Sequence, residues 1–458
     1  MADDARQTGG RPKGSGWGTR LLRWWAVLSA LVVAIVIGIA IYAASRFLPN
    51  RAVSYTDIQE HFKYGSTGGE VNFGFPYWIW QEMPLLCPDY LPADRLATDY
   101  QARVASYPRG ETPADRLALS REGYKALGML YETVDGREKD LPVGVSKRRN
   151  LGLDRVFVNC AVCHTSTVRD TPEDKPRLVL GMPANLFDLY DFERFFFQCA
   201  NDERFNKHNI VPAADALGAD LSLVDRYMVY PVAIWVMRDQ VKRLESRLGF
   251  SAKQPQWGPG RVDTFSAAKA IFDWPWKDLP DWHKDGRVDS ESIGTADFPS
   301  IWLQGPRKSR SDGKQMQLHW DGNNDKVEER NLSAAFGTGA LPPIIDHAAV
   351  GRIEDWLLTL TPPPYPYPIH GELAAQGKEV YGTYCADCHG ASGRDFRGAG
   401  VGFVTPIEEI GTDRYRLDNY VYDLAVNQAT LYAGTPYRFT HFRKTFGYAN
   451  MPLDGIWL

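Results

Sequence analysis

Cysteine is scarce in this chain, with six among 458 residues, and neither sign of charge dominates, at 52 basic against 56 acidic residues. The mild acidity, −4 overall, argues against a nucleic-acid partner and is compatible with a small basic protein as partner. Long hydrophobic runs are missing too, apart from one: residues 24–44 carry no charge. A single run of that length allows one membrane crossing, not several. No internal repeat with a period of 20–50 residues is visible, which argues against a solenoid or propeller.

Four of the six cysteines stand in two pentapeptides, Cys160-Ala-Val-Cys163-His164 and Cys385-Ala-Asp-Cys388-His389. Two thiols spaced by two residues can bond to the two vinyl groups of one haem, and the histidine that follows is placed to ligate the iron. A thioredoxin-type pair needs no following histidine, and a zinc site would leave both histidines as coincidences. The spacing therefore predicts two covalently bound c-type haems. One is on Cys160, Cys163 and His164, the other on Cys385, Cys388 and His389.

Arg6, Arg11, Lys13, Arg20 and Arg23 precede the apolar run, and Arg46 closes it. Positive charge before a span predicts a cytoplasmic stretch over residues 1–23 and a single-pass anchor over 24–45. A long signal peptide is the alternative. Either way the remainder is exported, to the periplasmic side of a bacterial inner membrane. Cys87 and Cys199 would then sit in an oxidising compartment, and a disulfide or two independent buried thiols both fit the sequence.

Residues 361–368, Thr-Pro-Pro-Pro-Tyr-Pro-Tyr-Pro, cannot continue a helix and act as a stiff spacer. They divide a first haem domain, 52–360, from a C-terminal cytochrome c domain, 369–458. Val350, Ile353, Leu357 and Leu360 recur at helical spacing just before the prolines. A second helix is expected over 232–248, with Pro231 in its first turn, and a buried aromatic one over 184–199. The expected fold is mainly α, with two cytochrome-c-like domains, long irregular connections, notably 251–346, and one N-terminal transmembrane helix.

The iron's sixth position is less evident. Met451-Pro452 follows His389 by 62 residues and makes Met451 the expected thioether ligand of the second haem, with His441 as its rival. For the first haem, Met182 and His319 are the candidates, while His208, His283 and His347 read as surface or capping residues. Glu328 and Glu329 are candidate proton donors by composition, although charge at a helix N-terminus explains them as well. The run Asp321-Gly-Asn-Asn-Asp325 offers oxygen ligands for calcium but lacks the twelve-residue EF-hand spacing.

Residues 374–390, with Gly377-Lys378, Tyr381 and the second pentapeptide followed by Gly390, resemble the first helix of ordinary monohaem cytochromes c. Three further segments resemble the bacterial dihaem family that includes dihaem cytochrome c peroxidases, the dihaem enzyme that matures methylamine dehydrogenase, and rubber-oxygenase-like cytochromes. They are the surroundings of the first pentapeptide, Trp257-Gly-Pro-Gly-Arg-Val-Asp-Thr-Phe265, and Phe298-Pro-Ser-Ile-Trp302 leading to His319-Trp-Asp-Gly322. The resemblance implies two haem domains close enough to exchange electrons, with an aromatic residue between the haems. Trp257 is the position it suggests. The chain departs from the family by stopping seven residues past Met451, where a further covering segment is expected, and its Ile-Trp-Leu end is unusually apolar.

Three functions follow as expectations. The first is a membrane-tethered electron carrier serving a redox partner protein. The others are a hydrogen-peroxide reductase and a dioxygenase acting on an apolar substrate, both working at the first haem with the second as electron relay.

Overall fold

The computed structural model describes residues 16–106, 112–272, 274 and 294–458. His283 and most of the tryptophan-rich stretch 274–282 fall outside the described residues. The apolar run forms the helix Gly16–Phe47, long and apolar enough to cross a membrane, with none of its residues buried. It starts upstream of the expected span because nothing in Gly16-Trp-Gly-Thr-Arg-Leu-Leu-Arg23 interrupts a helix. Together with Asn150–Gly152 it makes a unit of its own.

Everything else, Arg51–Arg149 and Leu153–Leu458, packs as a second unit that is mainly helical. Its core is aromatic. Helix Tyr77–Leu86 carries Trp80 onto Tyr124 of helix Pro113–Ala126, with the rings stacked at 4.5 Å and the Tyr124 hydroxyl donating to the Trp80 carbonyl at 2.6 Å. Phe192, Phe195 and Phe196 of helix Leu189–Asn201 close the cluster. A disulfide joins Cys87, which ends the first of these helices, to Cys199 of the third. Both cysteines are fully buried.

The aromatic helix begins five residues later than the expected 184. Asp188 accepts the amide hydrogen of Asp191 at 3.1 Å and so fixes the first turn at Leu189. The helix Tyr230–Leu248 has Pro231 in its first turn and buries Met237, Val241 and Leu248. The helix His347–Leu357 stops before the prolines, and Val350, Ile353 and Leu357 are buried. Leu360 belongs to the chain beyond it, where its carbonyl accepts from the Leu303 amide at 2.7 Å.

Strands are few and antiparallel. The largest sheet orders Arg51–Ala52, Val145–Asn150, Leu153–Val158 and Phe75–Pro76. The hairpin Thr165–Val168 with Arg177–Leu180 follows the first pentapeptide directly. Residues on either side of the proline-rich stretch interlock. The Gln317 amide donates to Gly402, Arg443 to Asn323 and Ala449 to Trp320, each at 2.8 Å.

Candidate haem sites

The first pentapeptide forms the turn Cys160–Val162, held by Asn159. The Asn159 side-chain oxygen accepts the Ala161 amide at 3.0 Å, and its nitrogen donates to the Gly65 carbonyl at 3.0 Å. Gly144, at φ +88°, lies behind the turn, where a Cβ would come within 2.3 Å of the Val162 nitrogen. Only glycine allows that approach. Both thiols are free and partly accessible. Burial pushes the Cys160 thiol up to about 11 and raises Cys163 as well.

His164 donates from Nδ1 to the Pro299 carbonyl at 2.9 Å, which leaves Nε2 for a ligand. A metal-ligating imidazole typically has its other nitrogen tied back in this way. Burial, with the Arg330 charge, holds this imidazole down at about 4, against the pull of the carbonyl. The neutral ring is the form that ligates.

The second pentapeptide repeats the arrangement on a more open surface. Cys385 and Cys388 are free, and His389 donates from Nδ1 to the Met451 carbonyl at 2.7 Å. The preceding helix, Gly371–Tyr384, buries none of its residues. Leu373, Val380 and Tyr384 are 62, 58 and 81 % exposed.

The candidates for the sixth positions are dispersed. Met451 packs partly against Met316, Leu318, Val327, Phe396 and Val401, with its carbonyl behind the His389 ring. The structure thus joins Met451 to the second pentapeptide through its backbone, while its thioether lies at the edge of that apolar cluster. His441 donates from Nδ1 to Glu329 at 2.9 Å. Met182 is buried with Val179 and Trp302. His319 sits at φ +64°, a strained conformation for a side chain of this size, and donates from Nδ1 to Asn323 at 2.6 Å. Burial, with the Arg330 charge next, keeps it neutral, at about 3. Like His441 and the two motif histidines, it is tied through Nδ1, which leaves Nε2 for a ligand. His347 stacks on Tyr437 at 3.5 Å, and the His208 amide is capped by Asn206.

The candidate acids have structural partners. Glu328 pairs with Lys308 at 2.6 Å. Glu329 accepts from the amides of Thr440 and His441, both at 3.0 Å, and its pKa lies below the ordinary carboxylate value despite burial, which opposes that shift. It is an ionised clamp for residues 440–441. Asp321 is fully buried, and burial raises its carboxyl above the ordinary value against the opposing charges of Arg416 and Lys444, while Arg443 binds Asp325 at 2.9 Å. Among the described residues no three His, Cys, Asp or Glu side chains gather as a metal site.

Trp257, the residue expected between the haems, donates to Gln254 at 2.6 Å and packs edge-on against Tyr190. It belongs to a buried network in which Gln254 meets Asp263 at 3.0 Å and Lys269 meets Asn419 at 2.6 Å. Trp302 occupies the more telling place. Its Nε1 donates to the Asp454 carbonyl at 3.1 Å. Three residues upstream of it is Pro299, the acceptor for His164, and three residues upstream of Asp454 is Met451, the acceptor for His389. Spacing alone could not show this link, because it joins segments 152 residues apart. No family model, curated protein or solved structure matches the chain.

Proposed function

We propose that the chain is a membrane-anchored dihaem c-type cytochrome that carries electrons, akin to the bacterial dihaem family it resembles. The donor sets fit two haems: each pairs two free thiols with an imidazole whose Nδ1 is tied to a carbonyl. A bound haem supplies one-electron chemistry at its iron. The protein's part is to orient each imidazole, to keep His164 neutral by burial, and to connect the two.

The observation that carries this reading is a continuous path of bonds between the two motif histidines. It runs from His164 to the Pro299 carbonyl, along the backbone to Trp302, through the indole to the Asp454 carbonyl, and back along the chain to Met451 and His389. Two metal sites without functional connection would need no such path. The disulfide Cys87–Cys199 supports export, since such bonds persist in oxidising compartments. Basic residues before the Gly16–Phe47 helix support a cytoplasmic N-terminus, with the haem-bearing part outside and open to a redox partner protein.

The test is the haem content and spin state of the membrane-extracted, full-length protein. Two covalent haems, both low-spin in the oxidised state and inert to carbon monoxide when reduced, are the expected result. A protein without covalent haem overturns the proposal, and a high-spin signal from one haem moves the conclusion to the peroxide or dioxygen readings.

A further inference from the structure

A second, shorter apolar stretch lies outside the anchor. Residues 227–237, Tyr227-Met-Val-Tyr-Pro-Val-Ala-Ile-Trp-Val-Met237, carry no charge. They belong to a helical run over residues 223–248, formed by the wide turn Asp225–Val229 and the helix Tyr230–Leu248. Its inner side buries Tyr230, Ile234 and Met237. Its outer side carries Leu223, Tyr227, Met228, Val232 and Trp235, which are 74, 72, 65, 60 and 69 % exposed. The stretch is thus apolar on both sides, while only one side meets the core. An apolar stretch of about 10–14 residues belongs in a core or at a bilayer interface. Large bare apolar patches mark places where something else docks.

The chain's own tether points to the occupant. Arg51 follows Phe47, the end of the helix Gly16–Phe47, by four peptide links, at most about 14 Å of chain. Arg51 pairs in register with Arg149 of strand Val145–Asn150. Leu153 opens the return strand and packs against the buried cluster that holds Tyr230 and Ile234. The helix with the bare face is therefore part of a body on a very short tether, which keeps lipid at high effective concentration. The chemistry of the face agrees with lipid. Tyr and Trp settle at headgroup level. The same helix goes on with Arg238, Lys242, Arg243 and Arg247 against Asp239 and Glu245. Lys242 is exposed and stands two turns beyond Trp235 on the same side, where a cation suits anionic headgroups.

We propose that Leu223, Tyr227, Met228, Val232 and Trp235 seat this helix in the surface of the lipid bilayer, as an interfacial attachment additional to the spanning helix. The inference rests on the anchoring part of the reading above. With this seat, the unit that carries both pentapeptides no longer swings freely about its tether.

The experiment is lipid photolabelling of the full-length protein in vesicles of phosphatidylcholine and phosphatidylglycerol doped with a diazirine-bearing phosphatidylcholine. Labelled peptides are mapped by mass spectrometry. Label is expected in residues 16–47 and in residues 223–235. The double variant Met228→Glu, Trp235→Glu changes only exposed side chains and should lose the second label while keeping the first. Trp235→Phe, which stays apolar, should keep both. Label confined to residues 16–47 in the parent overturns the seat and leaves the anchor standing. So does an unlabelled 223–235 segment that cross-links to a second copy, which assigns the face to self-association. Equal labelling of the parent and the double variant overturns the seat too, because two carboxylates do not enter that layer. Label in neither segment overturns the anchor reading and this inference together.

Discussion

The Trp302 indole and the Asp454 carbonyl meet at 3.1 Å across 152 residues of sequence, and that bond fastens the last residues of the chain to the surroundings of the first pentapeptide. Gly455 follows at φ +70°, so near the indole that a Cβ would lie 2.5 Å from its ring. Beyond it, Trp457 packs edge-on against Tyr365 at 5.6 Å, and Leu458 joins the cluster of Val179, Met182 and Trp302. Trp457 and Leu458 thus pack back onto the proline-rich stretch and the aromatic residues beneath it, while Ile456 stays 71 % exposed.

Replacing Trp302 by Phe keeps the aromatic bulk but leaves a buried carbonyl without its donor, which costs about 1–3 kcal/mol. Thermal unfolding of Trp302→Phe should drop accordingly. Electron exchange between the two proposed haems, followed after rapid reduction of one of them, should slow while haem content matches the parent's. An unchanged exchange rate would remove the indole from the connection.

The disulfide Cys87–Cys199 closes a loop of 112 residues around the aromatic core. Removing it with Cys87→Ser and Cys199→Ser together should destabilise the protein by about 2–5 kcal/mol, mainly by freeing the unfolded chain. Denaturant midpoints with and without reductant check this. A parent protein whose midpoint ignores strong reductant would contradict it.

These bonds also mark what could be read from the sequence. Spacing along one element was legible: Pro231 in a first turn and the stripe Met237, Val241, Leu244 and Leu248 are local patterns, although Leu244 is only half-buried. The start of the aromatic helix was missed because six aromatics mask a cap, and Asp188 rather than hydrophobicity sets the boundary. Partners far apart in sequence were not legible. The resemblance singled out Trp257, and only the fold puts it against Gln254 and Trp302 against Asp454. Composition left Glu329 between candidate proton donor and helix-N-terminal charge for the same reason, since its clamp on residues 440–441 comes from more than 100 residues away.

Met451 acts through its carbonyl, so its side chain can change while the bond to His389 survives. Met451→Leu conserves volume and should cost less than about 1.5 kcal/mol. Because the carbonyl bond survives, the variant isolates the thioether: the proposed second haem should lose its sulfur-to-iron charge-transfer band and its midpoint should fall. An unchanged spectrum and midpoint in Met451→Leu would show that Met451 serves the site through its carbonyl alone.

Glu193 gives a prediction about pH. It lies on the helix Leu189–Asn201 beside buried Phe192, and no ion pair or hydrogen bond compensates its carboxyl among the described residues. Burial alone pushes it up to about 8 from the ordinary 4.5. The folded protein therefore holds a proton that the unfolded chain releases above pH 4.5. Stability from this group is complete below that value, declines as pH rises, and is lost once pH passes about 8. Glu193→Gln cannot ionise and should escape this part of the decline. Urea midpoints of the two proteins should lie close together at about pH 4 and separate in favour of the variant by about pH 9. Parallel curves over that range would mean that Glu193 finds a partner or water in solution.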